Sequence, residues 1–321
     1  MLVLAGYNIA FTNSSSSLAG SSSANVPRVL GVLDSAGSFA VVGFTTNQYS
    51  GNNIRSGTTD GRGNYLGAGA NSGTFYFGTG TTNTVQNAVA NSVVLQDLGG
   101  NLYFSTSKTT PGIWKIPGTP TAPATAAVFL NAGSGSSPYA FAFNTNFTTA
   151  YVADDTLTGK GGVQRWNFNG SVWTLSYAFA GITNVGARGL AVDFGGANPI
   201  IYATTAEATA NRLVSITDTG AISTATTLAT AGVNQLLRGL SLAPNSGFVP
   251  QFFNAARGAN GFVLSWTALL NRNYTVQYNG NLNTTNWLTL TNLTATTPVM
   301  TVIDPGASTN TNRFYRVVLN P

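Results

Sequence analysis

The chain must draw any chemistry from a short palette. Its 321 residues include no His and no Cys, and only nine carboxylates. The cations are three lysines (Lys108, Lys115, Lys160) and, of the 14 basic residues, the remaining 11 are arginines. Without imidazole the commonest general base and transition-metal ligand is gone, and without thiols so are thiolate nucleophiles and Cys-built zinc sites. Asp154 and Asp155 form the one adjacent carboxylate pair, on a predicted loop before Gly159-Lys160-Gly161-Gly162. Two hard oxygen ligands on a loop suit Ca²⁺. The plainer reading is a solvated loop with Lys160 as counter-charge, since the regular Asp/Asn/Gly spacing of a dedicated calcium loop is missing. The Gly159–Gly162 run is too short and misplaced for a phosphate loop.

Arg55, Arg188 and Arg238 begin equivalent segments of an internal repeat. If those segments surround a channel, the arginines ring one mouth of it and attract an anion or an acidic glycan; pairing with backbone carbonyls or a nearby Asp is the alternative. Asp60, Asp97 and Asp193 stand at equivalent turns, where a carboxylate bonds the backbone two residues on. Trp114 and Trp166 offer faces for sugar stacking, against which core packing is the more frequent fate of Trp. Six Asn-x-Ser/Thr sequons (Asn13, Asn146, Asn169, Asn273, Asn283, Asn292) follow from an Asn/Thr-rich composition.

The elements that must position these residues are strands. Helical periodicity is nearly absent, and short Val/Phe/Tyr/Leu/Thr runs alternate with Gly/Asn/Asp/Ser turns about every 8 to 12 residues, which predicts an all-β fold. Hydrophobic content of 43% argues against disorder. Charged residues make up 7%, against about 25% in ordinary globular chains. So neutral a surface is weakly solubilised and predisposed to associate. The net charge of +5 is scattered rather than gathered into a basic stripe, so nucleic acid is not expected as a partner. No stretch approaches the ~18 apolar residues of a membrane span. Residues 1–6 lack the basic start and apolar length of a signal peptide and read better as a strand.

One unit recurs: an apolar strand, a turn rich in Asp, Asn and Gly, then a strand with Tyr near its start. The tyrosines are Tyr65, Tyr103, Tyr151 and Tyr202, spaced 38, 48 and 51 residues apart. Such spacing suits propeller blades of four strands. A third strand follows at 73–78, 112–117, 162–168 and 211–218, and a looser fourth at 85–90, 125–131, 172–180 and 223–231. Four complete blades therefore lie between about residues 53 and 232. At the start, residues 2–6, 28–33 and 38–45 fit the second, third and fourth strands of a further blade. Residues 236–244 repeat the inner-strand pattern of Arg188-Gly189-Leu190-Ala191-Val192 and would supply its missing first strand. The expectation is a five-bladed ring over residues 1–246, closed by its two ends; six blades are the alternative if the chain is a truncated larger propeller. Closure removes sheet edges that invite aggregation.

The runs at 50–61, Tyr151–Asp155, Gly161–Trp166 and Leu213–Asp218 carry a resemblance over residues 1–246. They resemble a group of secreted bacterial β-propeller proteins of uncharacterised function, which implies the fold and an extracellular setting but no activity. Such relatives place about one further blade before a strand like Leu2–Tyr7.

Residues 250–321 read as a second module. Its candidate strands begin at Phe262, Tyr274, Trp287, Val299 and Arg313, several with apolar/polar alternation, and Trp266 and Tyr278 are placed to fill a sandwich core. This run resembles the small immunoglobulin- or fibronectin-III-like β-sandwich at the C-termini of many secreted bacterial proteins. Together these features predict a non-enzymatic structural protein, extracellular or at the cell surface, that self-assembles into a fibre or layer. A carbohydrate-binding adhesion propeller is the alternative. No cofactor is expected beyond the calcium considered at Asp154 and Asp155.

Overall fold

The computed structural model describes residues 2–10, 17–34, 37–78, 81–159, 161–242, 250, 252–268, 272–297, 299–308 and 312–320. Met1, Asn13 and Lys160 lie outside the described residues, as do residues 243–244 of the predicted closing strand. The chain divides into two compact units, Met1–Pro244 and Asn245–Pro321.

The first unit is a succession of five antiparallel sheets. The opening sheet has three strands, β1 (Leu2–Tyr7), β2 (Arg28–Leu33) and β3 (Phe39–Thr45), in sequence order. Four meanders of four strands follow. They are β4 (Ile54–Thr59), β5 (Tyr65–Gly69), β6 (Gly73–Phe77) and β7 (Thr82–Gln86); then β8 (Ser92–Leu98), β9 (Asn101–Thr106), β10 (Gly112–Ile116) and β11 (Ala127–Asn131). Next come β12 (Pro138–Phe143), β13 (Thr149–Asp154), β14 (Gly162–Phe168) and β15 (Trp173–Ala178), and last β16 (Ala187–Asp193), β17 (Ile200–Thr205), β18 (Arg212–Thr217) and β19 (Thr226–Thr230). The second, third and fourth strands read from the repeat fall within these elements or within a few residues of them.

Turn chemistry sets the hairpins. Asp60 accepts the N–H groups of Arg62 and Asn64 at 2.8 and 3.2 Å, Asp97 that of Gly100 at 3.1 Å, and Asp193 that of Gly195 at 2.9 Å. These are the turn caps expected of short acidic side chains. Gly73 enters its third strand at φ +83°, where a Cβ would lie 2.1 Å from the Gln86 carbonyl oxygen, so only glycine fits.

The cores lie between successive sheets. Leu30 of the first sheet packs with Ile54, Phe75 and Phe77 of the second. Leu66 and Val85 of the second join Leu95, Leu102 and Phe104 of the third. Tyr103, Ile113 and Leu130 meet Phe141, Val152 and Trp166, and Tyr151 and Val163 meet Leu190, Ile201 and Val214. Each core is shared by neighbours, so no sheet buries its apolar face alone.

The opening sheet is in phase with strands two to four of the others. All five sheets carry a ladder slip between their last two strands: at Leu30/Gly31 in β2–β3, as at Thr74/Phe75, Ile113/Trp114, Arg165/Trp166 and Leu213/Val214. β1 also runs opposite to β4: Tyr7 reaches Asn53 at 2.9 Å, while Val3 lies against Gly57. First strands run the same way instead, as β4 and β8 do, with Ser56 beside Leu95 and Thr58 beside Asp97. Of the strand expected over 236–244, described residues 236–242 form no part. Described residues 236–242 join no ladder and dock through side chains: Asn211 Nδ2 donates to the Leu237 carbonyl at 2.6 Å and its Oδ1 accepts the Leu237 N–H at 2.9 Å. One carboxamide thus satisfies both backbone groups of Leu237.

The second unit has two three-stranded sheets. One orders β20 (Phe252–Gly258), β21 (Gly261–Thr267) and β24 (Val299–Asp304); the other orders β23 (Leu288–Thr294), β22 (Asn273–Asn279) and β25 (Phe314–Leu319). Leu264 and Trp266 from the first and Tyr274 and Val276 from the second share one core. β20, absent from the sequence reading, lacks alternation and is exposed along its length.

Candidate functional site

The first strand of each four-stranded sheet is bulged near its start. The ladder skips between Ile54 and Ser56, Ser92 and Leu95, Pro138 and Phe141, and Ala187 and Gly189. A bulge leaves a residue unpaired and re-aims its side chain. The residues so freed include Arg55, Tyr139 and Arg188, and all three line one cavity of about 1200 Å³. Arg238 and Tyr7 line it too, so the repeat-equivalent arginines named from the sequence come together.

Their partners differ. Arg55, exposed, donates from Nη1 to Asn91 Oδ1 at 2.7 Å. Arg188 donates from Nε to Asp155 at 3.1 Å, with its guanidinium carbon 5.6 Å from the Tyr139 ring centre. The Arg238 side chain has no hydrogen bond or ion pair among the described residues, although its main-chain carbonyl is held by Thr204 Oγ1 at 2.6 Å. Burial, and then the charge of Asp155, push the Tyr139 phenol up from its ordinary value, against the pull of Arg188 and Arg55. Burial likewise raises Tyr7, against Arg28 and Arg55. Arg55 thus lies near both tyrosines. With three arginines against the Asp155 carboxylate, the rim carries an excess of two positive charges. Asp97 lies toward the opposite end of the cavity, where its Oδ2 is buried without a hydrogen-bond partner and burial raises its pKa.

Asp154 and Asp155 turn to different tasks. Asp154 is fully buried and accepts from the N–H groups of Ser137 and Thr156 at 2.9 and 3.0 Å and from Thr156 Oγ1 at 2.7 Å. Burial still pushes its pKa up against those bonds. Asp155 is paired with Arg188. Among the described residues no group of three or more acidic side chains gathers as a metal site would require. Trp166 is buried, with Nε1 donating to Gln164 Oε1 at 2.9 Å, and Trp114 donates to the Thr110 carbonyl at 3.0 Å and stacks on Phe104. Both serve packing.

Two polar centres have no counterpart in the sequence reading. Buried Asp218, after β18, accepts from Tyr151, from Tyr177 at 2.7 Å and from Arg165 at 3.1 Å, bridging two sheets. Fully buried Arg28 donates to the carbonyls of Val26, Ser21, Asn52 and Ala19 at 2.5 to 3.3 Å, and lies 5.0 Å from the Tyr7 ring centre. Tyr139 was legible in one respect: it occupies the slot that Arg55 and Arg188 hold in their repeats.

These sheets define the class: an all-β protein of repeated three- and four-stranded antiparallel sheets, in the blade arrangement of a β-propeller. Comparison with solved structures finds distant likenesses. The chain is similar to a "putative 6-phosphogluconolactonase" from Bacteroides uniformis at 14% identity, over 88% of this chain and 83% of that one, with a TM-score of 0.44. It is similar to the Cps50 (Swd1) β-propeller domain from Myceliophteria thermophila at 11% identity, over 91% and 89%, with a TM-score of 0.42. No protein-family model and no curated protein matches the chain. Identity this low carries no activity across.

Proposed function

We propose that the chain is a non-enzymatic extracellular protein, a self-associating subunit of a surface fibre or layer. The observation that carries this reading is the chemistry of the outer strands. β3, β7, β11, β15 and β19 each end a sheet, and none contains Lys, Arg, Asp, Glu or Pro. Natural proteins guard such edges with charge, proline or a cover. β7 has a partial cover, with the Ala124 N–H donating to the Val85 carbonyl at 2.8 Å. β3 combines an edge position with Phe39 59% and Val41 56% exposed, which suits pairing with another copy.

The fold assigned to this subunit is a five-bladed ring followed by an immunoglobulin- or fibronectin-III-like sandwich. The phase of β1–β3 and the lining of the common cavity by residues 238–241 support residues 236–242 as occupants of the missing first-strand place. The orders β20–β21–β24 and β23–β22–β25 support the sandwich.

The test is light scattering and electron microscopy of purified protein at rising concentration. Assemblies are expected for the native chain, and Val41→Lys with Leu228→Lys should shift them toward monomer by placing charge on two edges. A native protein that stays monodisperse and monomeric at high concentration overturns the reading. The glycan-binding alternative is favoured by a separate feature, the arginine mouth.

A further inference from the structure

We propose that the mouth formed by Arg55, Arg188 and Arg238 binds a carboxylate-bearing sugar of an acidic polysaccharide. This inference names a ligand class for the glycan-binding alternative and is independent of the edge association proposed above. Five observations converge. The bulges at Arg55 and Arg188 place two arginines in the lining of one cavity, and Arg238 joins them there. Arg238 holds no acceptor among the described residues, so a planar donor fork is available for the bidentate pairing that suits a carboxylate.

Tyr7 and Tyr139 stand in the same lining, and aromatic rings beside cations suit a sugar, which presents an apolar ring face and a charged substituent together. Asp97, beside Thr58, lines the other end. Its negative charge repels a second acid, so the ligand's carboxylate is kept at the arginine mouth. A cavity of about 1200 Å³ is ample for a short oligosaccharide, given that ligand pockets run to ~1000 Å³. A bare anion would use the arginines and leave the tyrosines idle.

The experiment is calorimetric titration with a galacturonate trimer, its methyl ester, and inorganic phosphate. The trimer should bind, the uncharged ester at least tenfold more weakly, and phosphate should not displace the trimer at equal concentration. Arg238→Gln should weaken the trimer about tenfold while leaving the melting temperature unchanged, because that side chain has no partner among the described residues to lose. Absence of trimer binding, equal binding of the ester, unaltered affinity in Arg238→Gln, or displacement by phosphate each overturns the proposal. The same titration on Val41→Lys with Leu228→Lys separates the two proposals: unchanged trimer affinity in a monomeric variant is expected. Loss of assembly says nothing against the mouth, and loss of binding says nothing against the edges.

Discussion

The hydroxyl of Thr204 donates to the main-chain carbonyl of Arg238 at 2.6 Å, while its oxygen accepts the Gly189 N–H at 2.8 Å. One side chain thereby ties β16, β17 and the segment 236–242 together. The contact is tight: a Cβ on Gly189 would meet the Arg238 carbonyl oxygen at 2.4 Å and Thr204 Oγ1 at 2.6 Å.

Gly189→Ala should therefore push residues 236–242 off the first unit, at a cost of about 1–3 kcal/mol for overpacking. Limited proteolysis should then cleave within 236–242 faster than in the native chain. Unchanged cleavage and an unchanged melting temperature would show that this docking does not hold the segment.

The Asp218 centre predicts coupling between two sheets. Asp218→Ala leaves Tyr151, Tyr177 and Arg165 facing a void and should cost about 3 kcal/mol, as breaking a buried ion pair does. Tyr177→Phe alone removes two hydrogen bonds, one to Asp218 and one from Arg165, each worth about 1 kcal/mol. A double-mutant cycle by chemical denaturation should return an interaction energy of at least about 0.5 kcal/mol. Strict additivity would contradict the network.

Alkaline pH should weaken the second unit through Tyr315. Burial, and then Asp304 accepting its hydroxyl at 2.9 Å, push the phenol up to about 12. The unfolded value is about 10, so folding favours the neutral phenol. Its stabilisation is fully present below about pH 10 and is lost as pH rises through about 12. Denaturation midpoints between those limits should fall less steeply in Tyr315→Phe; parallel curves would refute the assignment.

Calcium is tested directly. Protein donors occupy the Asp154 carboxylate and Arg188 occupies Asp155, so EDTA should leave the melting temperature unchanged. A rise in that temperature on adding millimolar Ca²⁺ that is lost in Asp155→Asn would instead establish the Asp154–Asp155 pair as a binding site.

Local pattern made most strands legible. Leu2–Tyr7, Arg28–Leu33 and the third strands entered through glycine appear where alternation and turn residues put them, because side-chain period and turn φ angles are properties of a few neighbouring residues. β20 escaped notice because exposure on both faces removes alternation. Residues 236–242 carry the inner-strand pattern of Arg188–Val192, yet their backbone groups go to Asn211 and Thr204, which a pattern cannot foresee.

The amino-acid sequence by itself determined an all-β chain of repeated units, the absence of imidazole and thiol chemistry, and the equivalence of Arg55, Arg188 and Arg238. Tertiary structure alone decided what those equivalences become. The bulges bring residues 133 positions apart, Arg55 and Arg188, into one cavity. Packing between sheets assembles Asp218 with Tyr151 across 67 positions. It also separates Asp154 from Asp155, adjacent in the chain, into a buried cap and a rim ion pair. Asp154 ends β13 and Asp155 begins the loop after it, so the two carboxylates meet different partners, while the packing of successive sheets unites the distant arginines.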